Sequence, residues 1–408
     1  MDPVHAIRQF NQGREPERLR LKYRRMRADS FSFFRGSCHL FYAELPAILA
    51  AKPAPAVWAC GDLHLENFGS YKGDDRKITF DINDFDEAAL LPASWDAVRL
   101  LSSVFLAAPG LGLDERGIQT LCQQFLIHYA SALADGRIFQ ISNEGVGADE
   151  AAQCDPVRKL LKTLAARKRQ DFLDKRTSLD LGQRRLRLQP DKVLPASAQQ
   201  TEAVRAFMQG FATTQPDPHF YKLLDVGRRV AGTGSLGIQR YVLLVAGKGS
   251  PDGNYLLDLK QALPSSVSPR APNGQPAWID EAERVVTLQN RLQAKPMAFL
   301  RAVELDGQAF VLRALQPTED RLDLRSAKLK SDDLETVLAM MGKLLAWMQL
   351  RGAASQGAAA SDELMVFGRA APTWRDDWLA AAQACAARAV QDSVAFNMAY
   401  DQGFFNAA

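Results

Sequence analysis

Hydrophobic positions recur at helical spacing through most of the first half of the chain, then give way to short apolar runs broken by turns after Leu224. Residues 1–50 read as mostly helical, with basic density from Arg18 to Arg27. Residues 57–60 form a short apolar run with strand character. Residues 70–76 read as a turn-rich tip around Gly73-Asp74-Asp75, and 78–82 as the return strand. Helical periodicity covers 95–107, 118–133 and 203–211. Strands are expected at 226–231, 238–246 and 255–259, separated by a glycine loop and by the turn segment 247–253. A helix is expected at 279–292, then strands at 299–304 and 310–315, split by the hairpin signal Leu305-Asp306-Gly307-Gln308. Helical spacing returns at 333–351 and 376–400, and the small residues of 353–360 read as a loop or a frayed helix end. The whole predicts an α+β chain.

Composition sets the scale. A chain of 408 residues that is 47% apolar can bury a core large enough for two lobes. The net charge of +3 favours no partner class. Apolar runs fall short of a membrane span and Met1-Asp2-Pro3-Val4-His5 lacks a signal-peptide core, so a cytoplasmic protein without membrane attachment is expected. Cys38, Cys60, Cys122, Cys154 and Cys385 are scattered, as reduced thiols would be. Residues 157–192 are rich in Lys and Arg. Interleaved Asp residues and few aromatics there favour a solvated surface over a nucleic-acid site, so nucleic acid is not the expected partner.

The candidate chemistry lies in Cys60-Gly61-Asp62-Leu63-His64-Leu65-Glu66-Asn67-Phe68 and in Phe80-Asp81-Ile82-Asn83-Asp84-Phe85-Asp86. Phosphoryl transfer from a nucleotide needs a carboxylate near the acceptor hydroxyl and an Asn and second carboxylate for Mg²⁺. Asp62 is the candidate catalytic residue, as base or as orienter of the acceptor. Asn67 and Asp84 are the candidate metal ligands. Asp81 and Asp86 compete with Asp84. On an extended segment 84 and 86 share a face and 81 lies on the other. His64 reads as a structural hydrogen-bonding residue, with a metal or phosphate contact as the alternative. Asp96 reads as a buried acceptor for the catalytic loop's backbone N–H groups. Arg35 reads either as packing support or as a phosphate or Asp partner.

Far downstream stands Gly232-Thr233-Gly234-Ser235-Leu236-Gly237. A dinucleotide fold would follow these glycines with a helix. Here Ile238 to Val245 is β-branched and turn-bounded, so a strand-loop-strand phosphate cover is expected, with Gly232, Gly234, Ser235 and Gly237 binding ATP. Lys260 ends the next strand and can pair with the α- and β-phosphates and a helix carboxylate. Glu283 is the candidate partner, with Glu281 and Gln289 as alternatives. No Gly-x-Ser-x-Gly elbow or His-Glu-x-x-His motif occurs, and a glycosidase carboxylate pair would leave the glycine loop and Lys260 unexplained.

The segment 60–67 resembles the His-Gly-Asp-x-x-x-x-Asn loop of aminoglycoside and choline phosphotransferases, with Cys60 in place of the first His. Asn83-Asp84-Phe85-Asp86-Glu87-Ala88 resembles their Ile-Asp-Phe-x-x-Ala metal segment. From Phe33-Phe34-Arg35-Gly36 to Gln316-Pro317-Thr318-Glu319-Asp320-Arg321 the chain is similar to an uncharacterised bacterial family, domain of unknown function 2252, usually grouped with the protein-kinase-like fold. The resemblance implies a two-lobed kinase-like α+β fold. A mainly helical large lobe (1–221, completed by 321–408) would carry the catalytic and metal loops, and an antiparallel-sheet small lobe (222–320) would carry the nucleotide. Because the catalytic loop precedes the glycine loop, the motif order implies circular permutation. The implied activity is Mg²⁺/ATP-dependent phosphotransfer to a small hydroxyl-bearing molecule. A nucleotide-binding pseudokinase and a nucleotidyl transferase are the alternatives. The sequence names neither the acceptor nor an oligomeric state.

Overall fold

A computed structural model describes residues 2–406 except 44, 46–48, 50–52, 273 and 325–328, so parts of the expected 1–50 and 321–408 regions lie outside the described residues. Five long or medium helices, Ser94–Leu111, Glu115–Asp135, Ser331–Arg351, Ser361–Arg369 and Arg375–Asp401, bury their apolar faces in one large core. Local chemistry fixes their ends. Asp114 caps one helix by accepting from Gly117 N, and Gly112 and Gly136 close two helices in the left-handed region. The helices Glu115–Asp135 and Ser331–Arg351 are joined inside the core by Tyr129 Oη, which donates to Gln349 Oε1 at 2.7 Å.

Six antiparallel strands form the main sheet, in the order Arg301–Leu305, Gln308–Ala314, Tyr255–Gln261, Arg240–Val245, Leu223–Arg229, Val193–Pro195. Alternation divides its faces. Tyr241, Leu243, Leu257, Leu259 and Leu312 turn to one side, where Val204 and Met208 of the helix Ala198–Thr213 cover them. Arg240, Asp258, Lys260 and Arg313 fall on the other side, with Lys260 opposite Arg240 and Val311. The helix Glu281–Leu292 lies across one end of the sheet, packing Ala282 and Val285 against Leu300 and Val311.

Several boundaries differ from those read in the sequence. The tip expected at 70–76 is shorter, because Phe68–Lys72 is a strand paired with Ile78–Ile82, and Tyr71 is buried. The strand expected from 299 begins at Arg301, because Phe299 has φ +64° and breaks the extended backbone. The sheet takes in Val193–Pro195, ahead of residue 222. The basic region includes a hairpin, Thr177–Asp180 with Gln183–Leu186. Five of its cations pair with acids: Arg158 and Lys159 with Asp155, Arg167 with Asp320, Arg176 with Glu319, and Arg184 with Asp174 and Asp252.

The first and last described segments pack together. Ile7, Tyr23 and Phe33 pack with Phe396 and Phe405 in a separate apolar cluster. Among the described residues, no helix is long and apolar enough to cross a membrane.

Candidate active site

A cavity of about 280 Å³ lies where the N-terminal helices, the 60–68 loop, the glycine loop and residues 261–264 at the end of a sheet strand converge. Asp62, Asn67, Asp84 and Asp86 line it from one side and Gly232, Gly234 and Ser235 from the other. Residues some 170 positions apart in the chain thus share one space.

The Asp62 loop is built on the helix Ser94–Leu111. Both carboxylate oxygens of Asp96 accept backbone N–H groups, Cys60 N at 2.8 Å and Gly61 N at 3.0 Å, as the sequence led us to expect. Gly61 has φ +80°, and a Cβ there would lie 2.2 Å from Glu87 O, so only glycine lets the loop pass this point. One turn beyond Asp96, Arg99 reaches Asp62. Its Nε and Nη2 both donate to Asp62 Oδ1, with Nε at 2.8 Å. Among the described residues Oδ2 accepts no hydrogen bond, and Asp62 faces the cavity. Arg99 is fully buried under the ring of Phe34, 4.1 Å from its centroid. Burial pushes the Asp62 carboxyl up against the opposing pull of Arg99. Burial pulls Arg99 down, but Asp62, Cys38 and Tyr42 together outweigh that and hold it above its ordinary value.

Asn67 is 2% exposed. Its Nδ2 donates to Asp62 O at 3.2 Å and to Asp84 O at 3.3 Å, tying the 60–68 loop to the acidic segment. Its Oδ1 is buried without a hydrogen-bond partner. An orphaned buried oxygen beside a carboxylate is the donor set a hard cation takes. Burial pushes Asp84 up, but Lys260, Arg313 and Arg321 outweigh it and hold the carboxyl below its usual range. Among the described residues no three His, Cys, Asp or Glu side chains form a self-sufficient metal cage. Mg²⁺ bound with a nucleotide uses one or two protein oxygens and completes its shell with phosphate and water.

Of the three competing aspartates, one is set apart. Asp81 lies outside the cavity, accepting Ala294 N at 2.9 Å and Arg351 Nη1 at 3.1 Å. Asp84 and Asp86 both line it. His64 is buried and accepts Glu66 N on Nδ1 at 3.1 Å, a structural bond, and burial holds its pKa well below the ordinary value. Arg35 lines the cavity and pairs with Glu66.

Lys260 pairs with Asp86, and the pairing expected with Glu283 is not formed. Glu283 sits in the first turn of its helix and accepts Ile279 N at 2.6 Å, so its carboxylate is spent on the helix N-terminus. The alternatives do not reach Lys260 either: Glu281 pairs with Arg284, and Gln289 bonds Gln293. The same helix grips the acidic segment another way, because Arg284 donates to Asp86 O and to Ala88 O at 2.7 Å each. Burial lowers Lys260 to about 8, with Asp84 opposing. Behind it, Asp258 is fully buried among Arg229, Arg240 and Arg313, whose charges outweigh burial and hold its carboxyl far below the usual range.

The glycine loop is held from outside by the N-terminal helices. Arg14 Nη1 donates to Gly234 O at 2.7 Å and Leu236 O at 3.0 Å, Lys22 Nζ to Gly234 O at 3.0 Å, and Arg25 Nη1 to Gly232 O at 2.9 Å. Gly237 has φ +92° and sits against Arg14, whose Cβ would be 2.8 Å from a Cβ there. With these carbonyls engaged, the N–H groups of Gly232, Thr233, Gly234 and Ser235 donate to no protein acceptor among the described residues. Gly237 and Lys260, both expected to bind the nucleotide, do not line the cavity; Lys260 reaches it only through its pairing with Asp86.

Sequence reasoning missed Arg99, Arg14, Lys22, Arg25 and Arg321. Arg99 was findable three residues from Asp96 on one helix face. The N-terminal cations showed only as an undirected basic stretch.

These features define an α+β protein with antiparallel sheets and a cavity of mixed charge against its helical core. The chain belongs to a bacterial family described as an uncharacterized protein conserved in bacteria, domain of unknown function 2252, whose model matches residues 14–399. No curated protein and no solved structure matches the chain.

Proposed function

We propose that the protein is a Mg²⁺/ATP-dependent phosphotransferase acting on a small hydroxyl-bearing molecule, with a two-lobed, circularly permuted kinase-like arrangement. One observation carries the reading: Asp62, Asn67, Asp84 and the free amides of the glycine loop converge on a single cavity. Asn67 Oδ1 and Asp84 would hold Mg²⁺. The unbonded amides of 232–235 would cradle phosphate. Lys260 would add a fixed positive charge beside it. The bound metal–nucleotide supplies the phosphoryl group and neutralises charge on it. Asp62, steadied by Arg99 through Oδ1, orients the acceptor hydroxyl with Oδ2. The nucleotide would supply its γ-phosphoryl group to the acceptor oxygen and leave as ADP, and Asp62 would take up the acceptor's proton. Catalysis is then mainly positioning and charge stabilisation.

A second reading, a nucleotide-binding pseudokinase, draws on the Lys260–Asp86 pair, which ties the lysine to the acidic segment and not to a helix carboxylate. ATP labelled at the α or γ position, incubated with a bacterial small-molecule extract, separates the readings. Phosphotransfer predicts Mg²⁺-dependent γ-label on a small molecule, reduced about 10²-fold or more by Asp62→Asn with nucleotide binding retained. Transfer of α-label instead would mean nucleotidyl transfer. Binding without any transfer would favour the pseudokinase.

A further inference from the structure

Two of the arginines that line the cavity, Arg35 and Arg321, have N–H groups that no carboxylate among the described residues engages. Most of the lining carboxylates are already answered within the protein. Asp62 is paired with Arg99, Glu66 with Arg35 and Asp86 with Lys260, and Glu87 accepts Ser266 N at 2.6 Å. Asp84 remains for the metal. Two arginines are left with donors to spare. Arg35 gives Nη1 to Glu66, and its Nη2 makes no hydrogen bond among the described residues and is not buried. The stem of Arg321 passes over Gly69, where a Cβ would lie 3.2 Å from its Cγ, and its guanidinium has no hydrogen bond or ion pair among the described residues. Burial depresses Arg321, and the charge of Arg35 depresses it further. Guanidinium groups with unused N–H edges in a partly desolvated space are what binds a carboxylate or phosphate.

Their position says which ligand they serve. Arg35 pairs with Glu66, four residues from Asp62, and the stem of Arg321 lies against Gly69, two residues past Asn67, so both flank the 62–69 segment. The glycine-loop side has its own cation, Arg14, whose Nη1 is engaged by loop carbonyls. Resting on the phosphotransfer reading, we propose that the acceptor is an anionic alcohol, whose hydroxyl meets Asp62 while a nearby carboxylate or phosphate group is held by Arg321 and the free edge of Arg35.

The test is calorimetric, on wild type first saturated with Mg²⁺·AMP-PNP so that the γ-phosphate position is filled. Inorganic phosphate and malonate are then titrated separately. One anion is expected to bind per chain, at least about tenfold more weakly in Arg321→Gln and Arg35→Gln, with Mg²⁺·AMP-PNP affinity in both variants close to wild type. Preference for phosphate would identify a phosphorylated acceptor, and preference for malonate a carboxylate one. Arg321→Gln breaks no internal ion pair, so it keeps the test valid if Arg35→Gln misfolds. Absence of anion binding to the loaded protein, or variants that lose the nucleotide instead, would overturn the assignment and give these arginines to the nucleotide. A wild type that fails to bind Mg²⁺·AMP-PNP would remove the phosphotransfer reading itself, and the acceptor class with it.

Discussion

At the scale of single residues, the candidate site depends on buried charges whose cost is met by specific donors. Asp96 is the clearest case: fully buried, it holds Cys60 N and Gly61 N and so fixes the Asp62 loop. Burial raises its pKa to about 6 despite those bonds. Between its ordinary value of 3.8 and 6 the folded state therefore binds the extra proton, so stability from this group is full below pH 3.8 and falls as pH rises through 6. Urea unfolding from pH 4 to 7 is expected to lose up to about 3 kcal/mol of stability from this group, a slope that Asp96→Asn removes. An unchanged pH slope in the variant would contradict this. Asp96, Asp62, Asn67 and Asp84 were legible because a Gly-Asp loop, an Asn five residues on and a following acidic run leave few other chemical uses. The partner of Lys260 was not. Choosing between Glu283 and Asp86 requires knowing that Glu283 faces its own helix start, which spacing alone does not reveal.

At the scale of elements, the glycine loop is held by helices that the chain places about 210 residues away. Lys22 is fully buried, bonded to Asn11 Oδ1 at 2.8 Å and to Gly234 O, and burial holds its pKa well below the ordinary value. Lys22→Met is expected to raise amide exchange across residues 231–238 and to weaken Mg²⁺·ATP binding about tenfold, with Arg14 keeping the fold of the loop. Hydrogen exchange with mass spectrometry checks the first effect, and unchanged exchange would remove Lys22 from the loop's support. Helices and central strands were legible from periodicity, since Leu257-Asp258-Leu259-Lys260 alternates as a half-buried strand must. The strand Phe68–Lys72 was not, because Gly69 and Ser70 carry no strand preference and the pairing with Ile78–Ile82 overrides it. The hairpin at 177–186 was masked by its exposed charges.

At the scale of the whole molecule, the order of the motifs and the meeting of the chain ends bear on the proposed permutation. The rings of His5 and Phe404 lie 5.4 Å apart, and Ile7 and Phe405 share one core. A short flexible linker can therefore join the ends, and a new opening between the exposed residues Asp191 and Lys192 would place the sheet before the helical core. Such a rearranged chain is expected to fold cooperatively and keep nucleotide binding, read by thermal unfolding and ATP titration. An aggregated or unfolded product would count against permutation. The central claim, a metal–nucleotide site between the glycine loop and the acidic segment, is tested most directly by calorimetric titration of ATP with Mg²⁺ into wild type and Asp84→Ala. The account predicts Mg²⁺-dependent binding by wild type and none by the variant; absence of binding by wild type at millimolar ATP, or equal binding by both, would contradict it.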